Sequence, residues 1–179
     1  NCITAWVMKQ VGVDPVVALA HKMGIVTPIA PYPSICLGTT DISVFEMTSA
    51  FNTFNNKGSY VQPILITKVE DRFGNVIPDI QKKLVPNMNE ALDEKYAYIM
   101  VNMLQGVVNS GTGSWLRGSR YGFKGPMGGK TGTTQNQSDL WFMGIIPQLT
   151  GGVWVGNEDR AVHFRDVRSA NGGVTALPV

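Results

Sequence analysis

The run Gly129-Lys130-Thr131-Gly132-Thr133-Thr134 has the residue types and spacing for chemistry on an anionic ligand. Alternate residues of an extended strand share a face, so Thr131 and Thr133 would lie on one side and Lys130 on the other. That arrangement aims two hydroxyls at a carboxylate and keeps an ammonium buried beneath them. Gly132 carries no side chain, so a second backbone can lie along the strand edge. The backbone N–H near Thr133 is a candidate oxyanion donor for acyl transfer. Lys-Thr-Gly by itself also suits an ordinary edge strand, so its meaning depends on what surrounds it.

The surrounding elements are read from periodicity and punctuation. Ile3, Val7, Met8 and Val11 have helical spacing and stop at Gly12. Asp14-Pro15 reads as an N-cap followed by proline at the first helical position, with Val16, Val17, Ala20 and Met23 inward and Gly24 at the end. Pro28, Pro31 and Pro33 place a loop over 26–40. A third helix follows Asp41 or Ser43, with Val44, Met47, Phe51 and Phe54 inward, and stops at Asn56-Lys57-Gly58. Strands at 60–69 and 75–80 flank Asp71–Asn75 as a hairpin. The longest helix runs from about Asp93 to Val108, with a broad buried face from Tyr96, Ile99, Met100, Met103, Leu104 and Val107. Strands near 128–134, 139–146 and 151–156 close the chain as an antiparallel meander, with Pro147 and Thr150-Gly151-Gly152 at the last turn. Helices first and a sheet last is the α+β pattern.

Composition excludes several classes. Hydrophobic residues make up 44% and charged residues 16%, which fits a folded, turn-rich chain rather than a disordered one. A net charge of +2, with Lys82-Lys83 the only adjacent basic pair, gives no footprint for nucleic acid. No apolar run reaches the roughly 18–20 residues that span a bilayer. His21 and His163 have no Cys or acidic residue at ligand spacing, so no metal site is expected. Cys2 and Cys36 read as two small buried hydrophobes.

The context of the Lys-Thr-Gly run resembles the transpeptidase domain of class A, bifunctional penicillin-binding proteins. Gly128–Thr134, then Ser138-Asp139-Leu140-Trp141-Phe142-Met143-Gly144, then Gly152-Val153-Trp154-Val155-Gly156 are similar to that family's last strands at its spacing. Leu104–Val108 with Gly111-Thr112-Gly113 resembles its long helix and exit. Pro33–Gly38 with Glu46–Phe51 resembles a further segment. Thr134 stands where monofunctional relatives commonly carry Ala. The likeness extends over nearly the whole of residues 1–179, read as a single-domain piece: the C-terminal portion of the transpeptidase domain, incomplete at both ends.

The resemblance implies a β-lactamase/transpeptidase-like α+β fold and an acyl-serine peptidoglycan D,D-transpeptidase that β-lactams inhibit. It implies stem peptides and β-lactams as ligands, no cofactor, a companion glycosyltransferase domain, and a location on the outer face of the cell membrane behind an upstream anchor. Lys130 would supply positive potential, and Thr131, Gly132, Thr133 and Thr134 would bind substrate. The family also needs Ser-x-x-Lys, and no serine here has lysine three residues on. Its Ser-x-Asn element precedes the Lys-Thr-Gly run, so the letters Ser169-Ala170-Asn171 are read as coincidence. Asn1 is the better match for that asparagine, because Asn1–Gly12 resembles the family's segment just after Ser-x-Asn. The attacking serine is therefore expected outside these residues, leaving this piece alone inactive. Two rivals remain: a non-catalytic sensor or scaffold that binds peptidoglycan or β-lactam, and a serine β-lactamase.

Overall fold

A computed structural model of the chain describes residues 1–166, 168 and 170–179. Helix α1 (Cys2–Val11) stops at Gly12, whose φ of 83° lies in the region glycine favours. Helix α2 (Asp14–Lys22) begins one residue earlier than expected. Val13 already has helical dihedrals, so it stands at the cap and Asp14 is the first helical residue. A short 3₁₀ turn, Pro33–Leu37, interrupts the proline-rich loop and packs on α1. Cys2 is exposed rather than buried, because it lies at the open start of α1, and Cys36 is half-buried; neither is in a disulfide.

Helix α3 (Val44–Asn55) opens on a capping box. Ser43 Oγ accepts from Glu46 N–H at 3.2 Å, and the Glu46 carboxylate accepts from Ser43 N–H and Oγ–H. The same carboxylate accepts from the Val26 and Thr27 amides and the Thr27 hydroxyl, tying the loop to the helix. Desolvation pulls the Glu46 pKa up, but the bonds from Ser43, Thr27 and Val26 outweigh it and hold it at about 2. A carboxyl with a depressed folded pKa adds stability above its unfolded pKa of 4.5 and loses it as pH falls toward 2. Glu46→Ala is expected to cost about 2–3 kcal/mol in urea denaturation at pH 7, and clearly less at pH 3. An equal cost at both pH values would argue against the charged carboxylate as the cause.

Val44, Met47, Phe51 and Phe54 are only partly buried; the deeply buried positions of α3 are Ser49, Ala50 and Thr53. Small residues win there because α3 lies close against a sheet strand, where Thr48 occupies the space a side chain on Gly152 would need. The expected hairpin is replaced. Glu70 and Val76 form a single bridge around the Asp71–Asn75 turn. Beyond it Pro78, which has no N–H to give a ladder, starts helix α4 (Pro78–Lys83). Strand β1 (Ser59–Val61) pairs instead with β2 (Met88–Glu90), antiparallel.

Helix α5 (Glu94–Asn109) starts as expected, with Asp93 as a cap accepting from Lys95 N–H at 2.7 Å. Its buried stripe is narrow: Ala97, Leu104 and Val108. Tyr96, Ile99 and Met103 are exposed. Strands β3 (Gly128–Thr133), β4 (Asp139–Ile146) and β5 (Leu149–Gly156) form the expected antiparallel meander, in that order. The β4–β5 turn is Pro147-Gln148, and Thr150-Gly151-Gly152 lies within β5. A π-helical turn (Gly172–Ala176) ends the chain and packs on β4 and β3.

Among the described residues, two apolar clusters hold the molecule together. Leu140, Phe142, Ala170, Ala176 and Leu177 fill the space between the sheet and the C-terminal turn. Met23, Ile25, Ala50 and Ala91 join α2, α3 and the β1–β2 ribbon. Among the described residues no single helix is long and apolar enough to cross a membrane.

Candidate functional site

β3 is an edge strand, with β4 on one side and no described strand on the other. Thr134 N–H donates to Asp139 C=O, so in an antiparallel ladder Gly132 and Lys130 also direct their backbone groups at β4. Thr131 and Thr133 therefore turn their N–H and C=O toward the open edge. Lys130 follows this geometry: its ammonium curls round the strand and donates to the outward Thr131 C=O at 2.7 Å. The sequence places Lys130 under the strand, but an edge strand offers no cover on that side and the residue is exposed. Enough protein still surrounds the ammonium that desolvation lowers its pKa below the ordinary lysine value.

Thr131 and Thr133 share the opposite face, as alternation requires. Their cross-strand partners are Phe142 and Leu140, both in the sheet's core cluster. Each hydroxyl is held by a different distant segment. Thr131 Oγ1 lies 2.7 Å from Thr112 Oγ1. Thr133 Oγ1 accepts the Gly172 N–H at 3.0 Å. A hydroxyl has one proton to give. The Thr112–Thr131 pair spends one of its two on itself, and Thr133 spends none. Two O–H donors remain for a ligand at the strand edge.

The chain places these holders by local means. After α5, the N–H groups of Gly111 and Gly113 both reach the Val107 C=O, at 3.1 and 3.0 Å. That tight exit swings Thr112 over β3. Gly111-Thr112-Gly113 is thus both a helix exit and part of the site. Its composition marked the turn, but the bond from Thr112 to Thr131 could not be read from it. On the other side, Asn171 Oδ1 accepts from Gly173 and Val174 N–H at 3.0 and 3.2 Å and shapes the C-terminal turn. Ser169 lies outside the described residues.

Thr134 has a different task from its neighbours. Its hydroxyl accepts from the Ser138 and Asp139 N–H groups at 3.1 and 3.0 Å and closes the β3–β4 turn. Asp139 then accepts from Trp154 Nε1 at 3.0 Å and Ser138 Oγ at 2.9 Å. Arg160 pairs with Asp41 and lies 3.8 Å from Asp139. Asn1 is not brought to this site by any described hydrogen bond. It stands exposed at the start of α1, with no side-chain cap bond. No group of three or more His, Cys, Asp or Glu among the described residues is disposed to hold a metal.

Known proteins similar to this chain agree with the fold. The family described as "Penicillin binding protein transpeptidase domain" matches residues 30–175. "Penicillin-binding protein 1A" of Aquifex aeolicus is 34% identical over 179 residues, covering 100% of this chain and 23% of that protein. The protein of the same name from Clostridium novyi is 31% identical, covering 88% of this chain and 19% of that protein. This chain thus spans about a fifth to a quarter of the length of these relatives. The crystal structure of penicillin-binding protein 1A from Haemophilus influenzae superposes with a TM-score of 0.86 at 21% identity, over 99% of this chain and 31% of that one. PonA1 from Mycobacterium tuberculosis, in complex with penicillin V, gives 0.72 at 23% identity, over 93% and 46%. An edge strand with two free hydroxyl donors and an ammonium thus sits in an α+β frame shared with these proteins, and the chain belongs to the penicillin-binding protein transpeptidase family.

Proposed function

We propose that residues 1–179 form the substrate-carboxylate side of a peptidoglycan D,D-transpeptidase that works through an acyl-serine intermediate. One observation carries the reading: two hydroxyl donors, on the Thr112–Thr131 pair and on Thr133, stand with the Lys130 ammonium at an open strand edge. Two O–H donors and a cation match the two oxygens and the charge of a peptide's terminal carboxylate. Gly132 lets the substrate backbone approach, and the outward N–H of Thr133 is available to the oxyanion formed when a serine attacks the penultimate D-Ala carbonyl. The terminal D-Ala then leaves as the amine, and a second stem peptide's amine takes the acyl group. β-Lactams, which carry a carboxylate beside a reactive carbonyl, would occupy the same edge. The complex of PonA1 with penicillin V supports this use of the fold.

In this reading Thr134 contributes by holding the turn behind the strand, and Asn1 belongs to the amide-contacting element. The attacking serine comes from outside these residues, since none of their serines is followed by lysine at the third position. The protein that carries them works on the extracytoplasmic face of the membrane, beside a glycosyltransferase domain. Covalent labelling tests the assignment. A fluorescent penicillin is expected to label the intact protein and to leave the isolated 179-residue chain unlabelled. Labelling of the isolated chain, or none of the intact protein, would overturn it.

A further inference from the structure

Between α5 and β3 the chain runs through a 3₁₀ turn, Ser114–Arg117, and a loop that returns to Gly128. Phe123 N–H donates to the Leu116 C=O at 2.9 Å, so the outgoing and returning arms lie side by side. The Arg117 guanidinium closes the base of this loop. Its Nε and Nη2 donate to Oδ1 of Asn109, the last residue of α5, at 3.3 and 3.0 Å. Its Nη1 donates to the Phe123 and Gly125 carbonyls at 2.9 and 2.6 Å. The guanidinium carbon also lies 5.7 Å from the centre of the Phe123 ring. Arg117 is half-buried, and among the described residues no carboxylate pairs with it. Its charge rests on neutral oxygens beside the negative end of the α5 dipole. A planar fork can join acceptors on two segments at once, which the single ammonium of a lysine cannot.

The joined segments are the two that meet at the site. Asn109 stands three residues before Thr112, and Gly125 three before Gly128, where β3 begins. Gly128 is itself flush on the helix, since a Cβ there would meet the Leu104 Cβ at 3.0 Å. The α5 exit and β3 are therefore fixed against each other twice, once by packing and once by the guanidinium. The 2.7 Å bond between the Thr112 and Thr131 hydroxyls spans the same two segments. An O–H···O bond weakens once the oxygens part beyond roughly 3.0 Å, so the pair depends on how the exit is set against the strand. We infer that Arg117 is a positioning residue for the carboxylate donors. It acts through Thr112, not on substrate, by locking the α5 exit to the approach of β3. This role rests on the reading of β3 as the carboxylate-binding edge.

Acylation of the intact protein by penicillin, and by penicillin methyl ester, which has no anionic carboxylate, tests this. Arg117→Lys keeps the charge and loses the fork. It is expected to slow acylation by penicillin roughly tenfold, about the worth of one hydrogen bond, and acylation by the ester clearly less. Combined with Thr112→Val it should be no slower than the slower single variant, because both changes act through one bond. Asn109→Ala frees half of the fork at an exposed position, and should show the same selective loss to a smaller degree even where Arg117→Lys folds poorly. Equal slowing with acid and ester would make Arg117 a support of the fold alone and overturn the role. Multiplying losses in the double variant, or wild-type rates in both Arg117→Lys and Asn109→Ala, would overturn it too. A wild type that takes up no penicillin would remove the transpeptidase reading and this role with it. Wild-type behaviour of the variants would remove only the role.

Discussion

Lys130→Ala in the intact protein is expected to slow acylation by penicillin by about 10²–10³-fold, the cost of removing one fixed electrostatic contact from an acyl-transfer site. The ammonium is the only cation on β3, and it is anchored on the Thr131 C=O at the edge where the ligand's carboxylate would lie. Its loss leaves the two free hydroxyl donors to bind the carboxylate without a counter-charge. Desolvation also sets the pH behaviour. Because the folded pKa of Lys130 is lowered, folding disfavours its charged form. That penalty is fully present below the folded pKa and is relieved as pH rises through it toward the unfolded value. The alkaline fall in acylation rate should therefore come below the pH of an ordinary lysine and vanish in Lys130→Ala. The variant should also melt no lower than wild type at neutral pH. Stopped-flow acylation across pH, with a thermal melt, checks both. An unchanged rate would remove Lys130 from the site, and a lowered melt would mean that the side chain is structural.

Gly172→Ala is expected to lower stability by about 1–3 kcal/mol and to slow acylation at the same time. A Cβ on Gly172 would collide with the Trp141 C=O and with the Gly132 backbone, none of which is the flexible end of a side chain. The C-terminal turn would have to lift off β3, and with it the N–H that orients Thr133 Oγ1. Gly151→Ala is the matched control. It also adds a methyl to a glycine of the same sheet, but meets nothing within 4 Å, so its effect should stay within about 0.5 kcal/mol. Urea denaturation and acylation measured on both variants decide the matter. If Gly172→Ala acylates at the wild-type rate despite losing stability, the turn supports the fold and does not orient Thr133.

Several features were legible from residues alone. Gly12 as a helix stop, a start for α3 at Asp41 or Ser43, Asp93 before α5 and the three-strand meander all rest on interactions within a few residues. So does the placement of Thr131 and Thr133 opposite Lys130, which needs only the twofold alternation of a strand. Errors arose where local pattern was asked to report distant packing. Tyr96, Ile99 and Met103 have the spacing of a buried helix face, yet only Ala97, Leu104 and Val108 are covered, because burial depends on what a face meets. Residues 75–80 have strand-like composition, but Pro78 cannot join a ladder and begins α4.

Residue order alone was enough for the family, the sheet and the division of side chains between the two faces of β3. How those side chains are held emerged from the folded molecule. Thr112 reaches Thr131 across 19 residues, and Gly172 reaches Thr133 across 39. The lysine expected beneath the strand wraps round an open edge instead. Contacts at such separations depend on how the helix exit and the C-terminal turn dock on β3, and no periodicity within either segment encodes that docking.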